Sequence, residues 1–295
     1  MSSPPSAPAA FKLPPPQLTC YTLSTPAPYT LLVTINREKA MNSMTIGGHW
    51  EGDLLWTWFD AEPTLRVAII TGKGPKAFCA GQDLLEQHRK RAGGGEEEGK
   101  KEKGPTVEDN RPSMPVGGFA GLSKRLGKKP VIAAVNGYAM GGGFEIALNC
   151  DLVIASPTAT FALPEAQRGL WAAAGGLPRV VRIFGMQLAG EIALTGRILS
   201  AREVEQHGFA RVSKSPESLI PEALELAGKI ASMSPDAVIV TRAGLRQAWE
   251  TASVERATQL IDEWYARALL TGENFRIGIR AFAEKGKPEW VPSKM

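Results

Sequence analysis

The sequence predicts an α/β fold followed by a helical C-terminal part, and three observations carry that prediction. Pro130 to Asn136 is a near-continuous apolar run, as in a strand buried on both faces. A turn over Gly137–Gly143, a helix over Phe144–Asn149 and a strand over Asp151–Ala155 follow it, a strand–turn–helix–strand rhythm. From about Ser200 onward the pattern turns helical, with apolar residues spaced among charges. A break near residue 215 divides a mixed part, 18–215, from an all-helical part, 216–286, and no short internal repeat is found.

The elements follow in order. Residues 1–17 hold six prolines and read as a disordered or extended tail. Tyr29–Ile35, rich in Leu, Val and Thr, reads as a strand. Thr45–Asp60 reads as a helix with Trp50, Leu54, Leu55, Trp58 and Phe59 on a broad apolar face. Arg66–Thr71 is a short buried strand closed by Gly72-Lys73-Gly74, and Ala77–Gly81 leads into a helix start at Gln82-Asp83-Leu84-Leu85. Residues 88–118 break the pattern with His88-Arg89-Lys90-Arg91, a glycine triplet, Glu96-Glu97-Glu98 and Lys100-Lys101-Glu102-Lys103. Mixed signs and low complexity make this a solvated, mobile insert rather than a phosphate or nucleic-acid contact. Helices are expected over Pro216–Met233, Pro235–Ala248 and Ser253–Leu270, with Pro235 in a first turn behind Ser234 as N-cap.

Composition narrows the function. The 295 residues are 43% hydrophobic and 22% charged, ordinary for a soluble globular protein. A net charge of +4 suits an anionic small-molecule ligand and does not predict nucleic-acid binding. Cys20, Cys79 and Cys150 have neither disulfide nor metal-ligand spacing, and with three histidines they leave no zinc constellation, so no metal is expected. No apolar run reaches the ~20 residues of a membrane-spanning helix. The N-terminus lacks the basic and apolar regions of a secretory signal.

Two carboxylates stand out. Glu145 follows Gly141-Gly142-Gly143-Phe144 at the start of a buried helical segment, and Glu165 ends the apolar run Phe161-Ala162-Leu163-Pro164. Burying a carboxylate is expensive without a partner or a task. A pair flanking a glycine turn points to acid/base work on a group polarised by backbone N–H donors.

Five motifs appear in order: Asn36-Arg37-Glu38-Lys39-Ala40-Met41-Asn42, Phe78-Cys79-Ala80-Gly81-Gln82-Asp83-Leu84, Asn136 through Glu145, Cys150 through Ala155, and Phe161 through Glu165. Together they resemble the crotonase superfamily, and within it the enoyl-CoA hydratases, over about residues 20–286 except the insert. The resemblance implies a ββα spiral core, a C-terminal helical region used to form a homotrimer or hexamer, and an acyl-CoA thioester as substrate. It also implies an oxyanion hole made by the N–H groups of Gln82 and Gly142. Glycine suits the second point because a side chain there would hinder the thioester's approach. Glu145 and Glu165 are implied to hold the water that adds to the double bond, Glu165 supplying the α-carbon proton and Glu145 activating the water. Further implied contacts to coenzyme A are Arg37, Lys39, Ala80, Asp83, Leu84, Phe282 and Lys285.

Two departures bear on the acyl group. The turn after Glu165 is Leu170-Trp171-Ala172-Ala173-Ala174-Gly175-Gly176, so Trp171 and Gly175 are expected to shape the acyl pocket. The insert replaces a segment that borders the acyl chain in the family. In the tail 287–295, Ser293-Lys294-Met295 resembles the Ser-Lys-Leu peroxisomal address, which implies an import receptor as partner and a peroxisomal location. The expected activity is hydration of a trans-2-enoyl-CoA without a separate cofactor. The alternatives are a Δ3,Δ2-enoyl-CoA isomerase or another crotonase-type reaction, and an inactive RNA-binding or scaffold homologue.

Overall fold

The computed structural model describes residues 11–92, 112–251 and 253–295. In chain order the strands are β1 (Tyr21–Ala27), β2 (Thr30–Ile35), β3 (Val67–Gly72), β4 (Ala77–Cys79), β5 (Val131–Val135), β6 (Tyr138–Met140), β7 (Leu152–Ala155), β8 (Thr160–Ala162), β9 (Leu199–Ser200) and β10 (Arg211–Val212). The helices are α1 (Ile46–Ala61), α2 (Leu84–Ala92), α3 (Gly142–Asn149), α4 (Gly176–Thr195), α5 (Ala201–Gln206), α6 (Leu219–Ala231), α7 (Pro235–Glu250), α8 (Val254–Ile261), α9 (Arg267–Thr271) and α10 (Glu273–Ala283).

The strands form a six-stranded sheet, β1-β2-β3-β5-β7-β10, and a four-stranded sheet, β4-β6-β8-β9. Three times the chain gives one strand to the larger sheet, the next to the smaller, and then enters a helix: β3-β4-α2, β5-β6-α3 and β7-β8-α4. This is the expected ββα spiral. Within it the pairings of each sheet are parallel; the β1–β2 hairpin and β8–β9 are antiparallel.

The central strands β3 and β5 of the larger sheet are buried on both faces, which explains their continuous apolar runs. Val67, Ile69, Ile132, Ala134 and Ile154 face α6, whose Leu219, Ala223, Ala227 and Ala231 recur every fourth residue as one stripe. Alternate residues, among them Ala68, Ile70, Ala133 and Val135, face the main core with α1, α3 and α4. The helical part is tied to the spiral by charge. Asp151 accepts from Arg242 Nε at 2.9 Å and Arg246 Nη2 at 3.0 Å, linking α7 to the start of β7. Among the described residues no helix is long and apolar enough to cross a membrane.

Several expectations need correction. Residues 11–17 belong to the expected loose tail, yet Phe11 meets Trp58 edge-on at 4.9 Å and the Leu13 N–H donates to Glu62 at 2.7 Å. Residues 1–10 lie outside the described residues. β1 was not expected, because Thr, Ser and Pro dilute its apolar alternation, and it tolerates Pro26 as an edge strand. On α1 the buried face carries His49 and Trp56, while Leu54 is 60% exposed. Part of the turn expected at Gly137–Gly143 is strand β6, which pairs with β4 and β8. The long α4 was missed because Pro178, Gly185 and Gly190 interrupt its pattern; Gly185 is a kink at φ 75°. Of the insert, residues 88–92 complete α2, and Pro112 accepts from Trp50 Nε1. Residues 93–111 lie outside the described residues.

Candidate active site

Three parallel strands of the smaller sheet each end at a segment of the site. Ala80–Asp83 follows β4, Gly141–Glu145 follows β6, and Glu165 lies just past β8. Carboxyl ends of parallel strands are where α/β folds gather their ligands.

Gly141, at φ 54°, turns the chain from β6 into α3. A Cβ there would come 2.9 Å from Glu165 Oε1, and Cβ atoms at Gly142 and Gly143 would overlap the Phe119 ring and the Cys79 carbonyl. Only glycine fits these three positions. A Cβ on Gly81 would lie 3.7 Å from Gly142 N, so the turn at 81–82 rests against the turn at 141–142. Met44 fixes the first turn: its N–H donates to Gly81 O, and its carbonyl accepts from Asp83 N–H and Gln82 Nε2. Among the described residues, neither the Gln82 N–H nor the Gly142 N–H has an acceptor. Two unengaged donors in adjoining turns, one opening a helix, suit an oxygen that gains negative charge.

Glu145 is buried in the first turn of α3. Its Oε1 accepts the Ala174 and Gly176 N–H groups, both at 2.8 Å, at the start of α4. Burial pushes its carboxyl up to about 7, aided by the charge of Glu165 and opposed by the two amides and Arg179. Burial also raises Glu165, and its Oε2 is enclosed with no hydrogen-bond partner among the described residues. One carboxylate is thus anchored, and the other has an oxygen free for a reactant.

The remaining expected residues divide. Asp83 caps α2 by accepting the Glu86 N–H at 3.1 Å and pairs with Arg37 at 3.0 Å. Burial would raise Asp83, but Arg37 and the amides hold it below the usual carboxylate range. Arg37 also donates to Ser43 O, so this pair braces the turn. Lys39 and Leu84 are exposed beside it, and Ala80 is half-buried. Trp171 is 70% exposed, and Gly175, at φ 98°, lies between the two amides that hold Glu145. Phe282, in the last turn of α10, and Lys285, just after it, are exposed.

Sequence reasoning missed three contributors. His49 meets Gln82, Phe119 covers Gly142, and Ser123 Oγ accepts the Phe119 N–H and donates to Ala174 O. A histidine on the buried face of α1 was the one available signal. Phe119 and Ser123 lie in a loop with no periodicity to mark it.

Residues 30–293 match the family model described as enoyl-CoA hydratase/isomerase. The chain belongs to that family, within the crotonase superfamily. It is 49% identical over 274 residues to a mevalonyl-coenzyme A hydratase of Aspergillus fumigatus, covering 92% of this chain and 95% of that one. It is 45% identical to a protein of the same name from Beauveria bassiana, covering 97% and 99%. The crystal structure of an enoyl-CoA hydratase from Mycobacterium marinum superposes with a TM-score of 0.78 at 33% identity, covering 93% of this chain and 99% of that one. The protein is a hydro-lyase of the crotonase-type CoA hydratase class.

Proposed function

We propose that this enzyme interconverts a 3-hydroxyacyl-CoA and its conjugated 2-enoyl-CoA, with mevalonyl as the preferred acyl group. That acyl chain is branched, with a tertiary hydroxyl at its β-carbon and a primary hydroxyl at its far end. The observation that carries the reaction is the pair Glu145 and Glu165 beside the Gly141–Gly143 turn, with two backbone donors unengaged. Near-full-length identity of 49% and 45% to two mevalonyl-coenzyme A hydratases supports the acyl group. Trp171 and the alanines after it, a departure from the family's usual turn, are consistent with an unusual chain.

In the hydration direction, the thioester oxygen sits between the Gln82 and Gly142 N–H groups. Water attacks the β-carbon, and its proton passes to Glu145. The double-bond electrons move onto the thioester oxygen as an enolate, which the two donors stabilise. The enolate collapses as Glu165 gives its proton to the α-carbon, and a proton returns from Glu145 to Glu165 before the next cycle. This direction needs Glu145 ionised and Glu165 protonated. Two backbone donors on Oε1 favour the charge on Glu145 against the burial that raises it, and burial with an unpartnered Oε2 favours the acid form of Glu165. Dehydration is the same path reversed. No electrons or hydride leave the substrate, so we assign no separate cofactor.

The test follows the absorbance of the conjugated thioester with purified enzyme. Mevalonyl-CoA should yield it, and the branched enoyl-CoA should lose it, faster than a straight-chain trans-2-enoyl-CoA of short or long chain. Preference for a straight chain would overturn the acyl assignment. Conversion of a 3-enoyl-CoA without hydration would favour the isomerase, and salt-sensitive RNA binding without turnover the binding protein.

The same reading includes a homotrimer or hexamer, supported by a groove of about 1270 Å³ along α7 with the exposed Met233, Leu245 and Trp264 in its walls. Light scattering checks it. It also includes peroxisomal import through Ser293-Lys294-Met295. Lys128 Nζ donates to Met295 O at 2.9 Å and Lys294 pairs with Glu273, so a receptor would compete with these contacts. Deleting Met295 should leave turnover intact and scatter the enzyme through the cytosol.

A further inference from the structure

His49 is wholly buried on α1, and its two nitrogens are both engaged. Nδ1 accepts the Ala120 N–H at 3.0 Å, which puts the ring proton on Nε2. Nε2 then donates to Gln82 Oε1 at 2.7 Å, and Gln82 Nε2 donates to Met44 O at 3.0 Å. The row Ala120, His49, Gln82, Met44 therefore has one consistent proton arrangement. Burial lowers the imidazole to about 4, so the ring is neutral wherever the glutamates work.

The loop at the other end of this row reaches the rest of the site. Ala120 is held at φ 55°, costly for a residue with a side chain, and its carbonyl accepts from Trp56 Nε1 at 3.1 Å. Phe119 lies 4.5 Å from the His49 ring, centroid to centroid, and fills the space a side chain on Gly142 would need. Ser123 carries the connection on to Ala174, whose N–H holds Glu145. One ring is bonded to the residue that supplies the first donor and packs, tilted by 58°, against the side chain that covers the second.

We infer that His49 is a positioning residue for the oxyanion hole, setting the Gln82 and Gly142 N–H groups in register through Gln82 Oε1 and the Phe119–Ala120 turn. This rests on the hydratase reading above. It requires that His49 act through Gln82 rather than on substrate. The effect therefore belongs in the chemical step, where charge on the oxygen develops, and much less in binding of the coenzyme portion.

The experiment compares wild type with His49→Phe, which keeps an aromatic ring and removes both bonds, Gln82→Met, which removes the same bond from its other end, and the double variant. Each folded protein is assayed with the acyl-CoA that wild type turns over. Each single variant should lower kcat about 10- to 100-fold, the order of losing good donor alignment. KM should stay within about threefold and the pH profile keep its shape. The double variant should fall well short of the product of the two single losses, because both substitutions remove the shared His49–Gln82 bond. As a spectroscopic readout, an aryl-enoyl-CoA bound to wild type should absorb at longer wavelength as its carbonyl is polarised, and the variants should shrink that shift. Gln82→Met leaves α1 intact and decides the matter if His49→Phe does not fold. Folded variants with wild-type kcat and an undiminished shift, or losses that multiply in the double variant, would overturn the inference. A wild type that turns over no acyl-CoA would instead sink the proposed function.

Discussion

Glu145 sits where a helix start offers two amides, and those amides are not enough to offset its burial. Its carboxyl is pushed from 4.5 to about 7, so the folded state holds a proton that the unfolded chain has released between those values. Stability from this group is present below about 4.5 and is lost as pH rises through about 7. At 1.36 kcal/mol per pKa unit the loss is about 3 kcal/mol. Glu145→Gln keeps an oxygen for both amides and removes the titration. It should unfold at higher denaturant than wild type at pH 8 while losing about 10²- to 10⁴-fold in kcat, the range of one general acid or base. Wild-type hydration should fall below about pH 7 as Glu145 takes up its proton, which a kcat profile reads directly. Gly142→Ala puts a methyl group into the Phe119 ring, so the donor or the ring must move. A loss of about 10²- to 10³-fold in kcat, with the protein still folded by circular dichroism, is the expected result.

At the scale of elements, α7 is docked by opposite charges out of solvent. Burial would raise Asp151, but Arg242 and Arg246 more than offset it and hold it below the usual carboxylate range. Asp151→Asn leaves the buried Arg242 without its counter-charge, and thermal or urea melts should show a loss of about 3–5 kcal/mol. Elements with one strong local signal were legible in the sequence: the apolar run of β5, α1, and α7 behind Ser234-Pro235. α4 was not, because its glycines and proline serve a kinked path that only tertiary contacts stabilise. In the site, Glu145, Glu165 and the glycine turn could be read because they fall in short motifs. The bond from His49 to Gln82 could not, because 33 residues separate the pair and only the folding of α1 against the turn after β4 brings them together. Arg37 and Asp83 were read as ligand contacts; they also pair with each other, a contact that spacing alone does not reveal.

Across the whole molecule, Arg66 ties three distant parts of the chain. It donates to Ala231 O at the end of α6 and to Trp290 O in the C-terminal segment, and it lies 3.9 Å over the Tyr29 ring beside the β1–β2 turn. Arg66→Met keeps the apolar stem and removes all the donors. Stability should drop by about 1–3 kcal/mol in urea, with faster proteolysis after residue 286. The smaller sheet sets a different kind of limit. β9 runs against β8, so its carboxyl end points to the opposite rim from those of β4, β6 and β8. Among the described residues, this sheet therefore turns three strand ends toward the site. A variant enzyme with new chemistry could exchange residues at those ends, or in the Phe119–Ser123 loop and the Ala174–Gly176 turn that already border them.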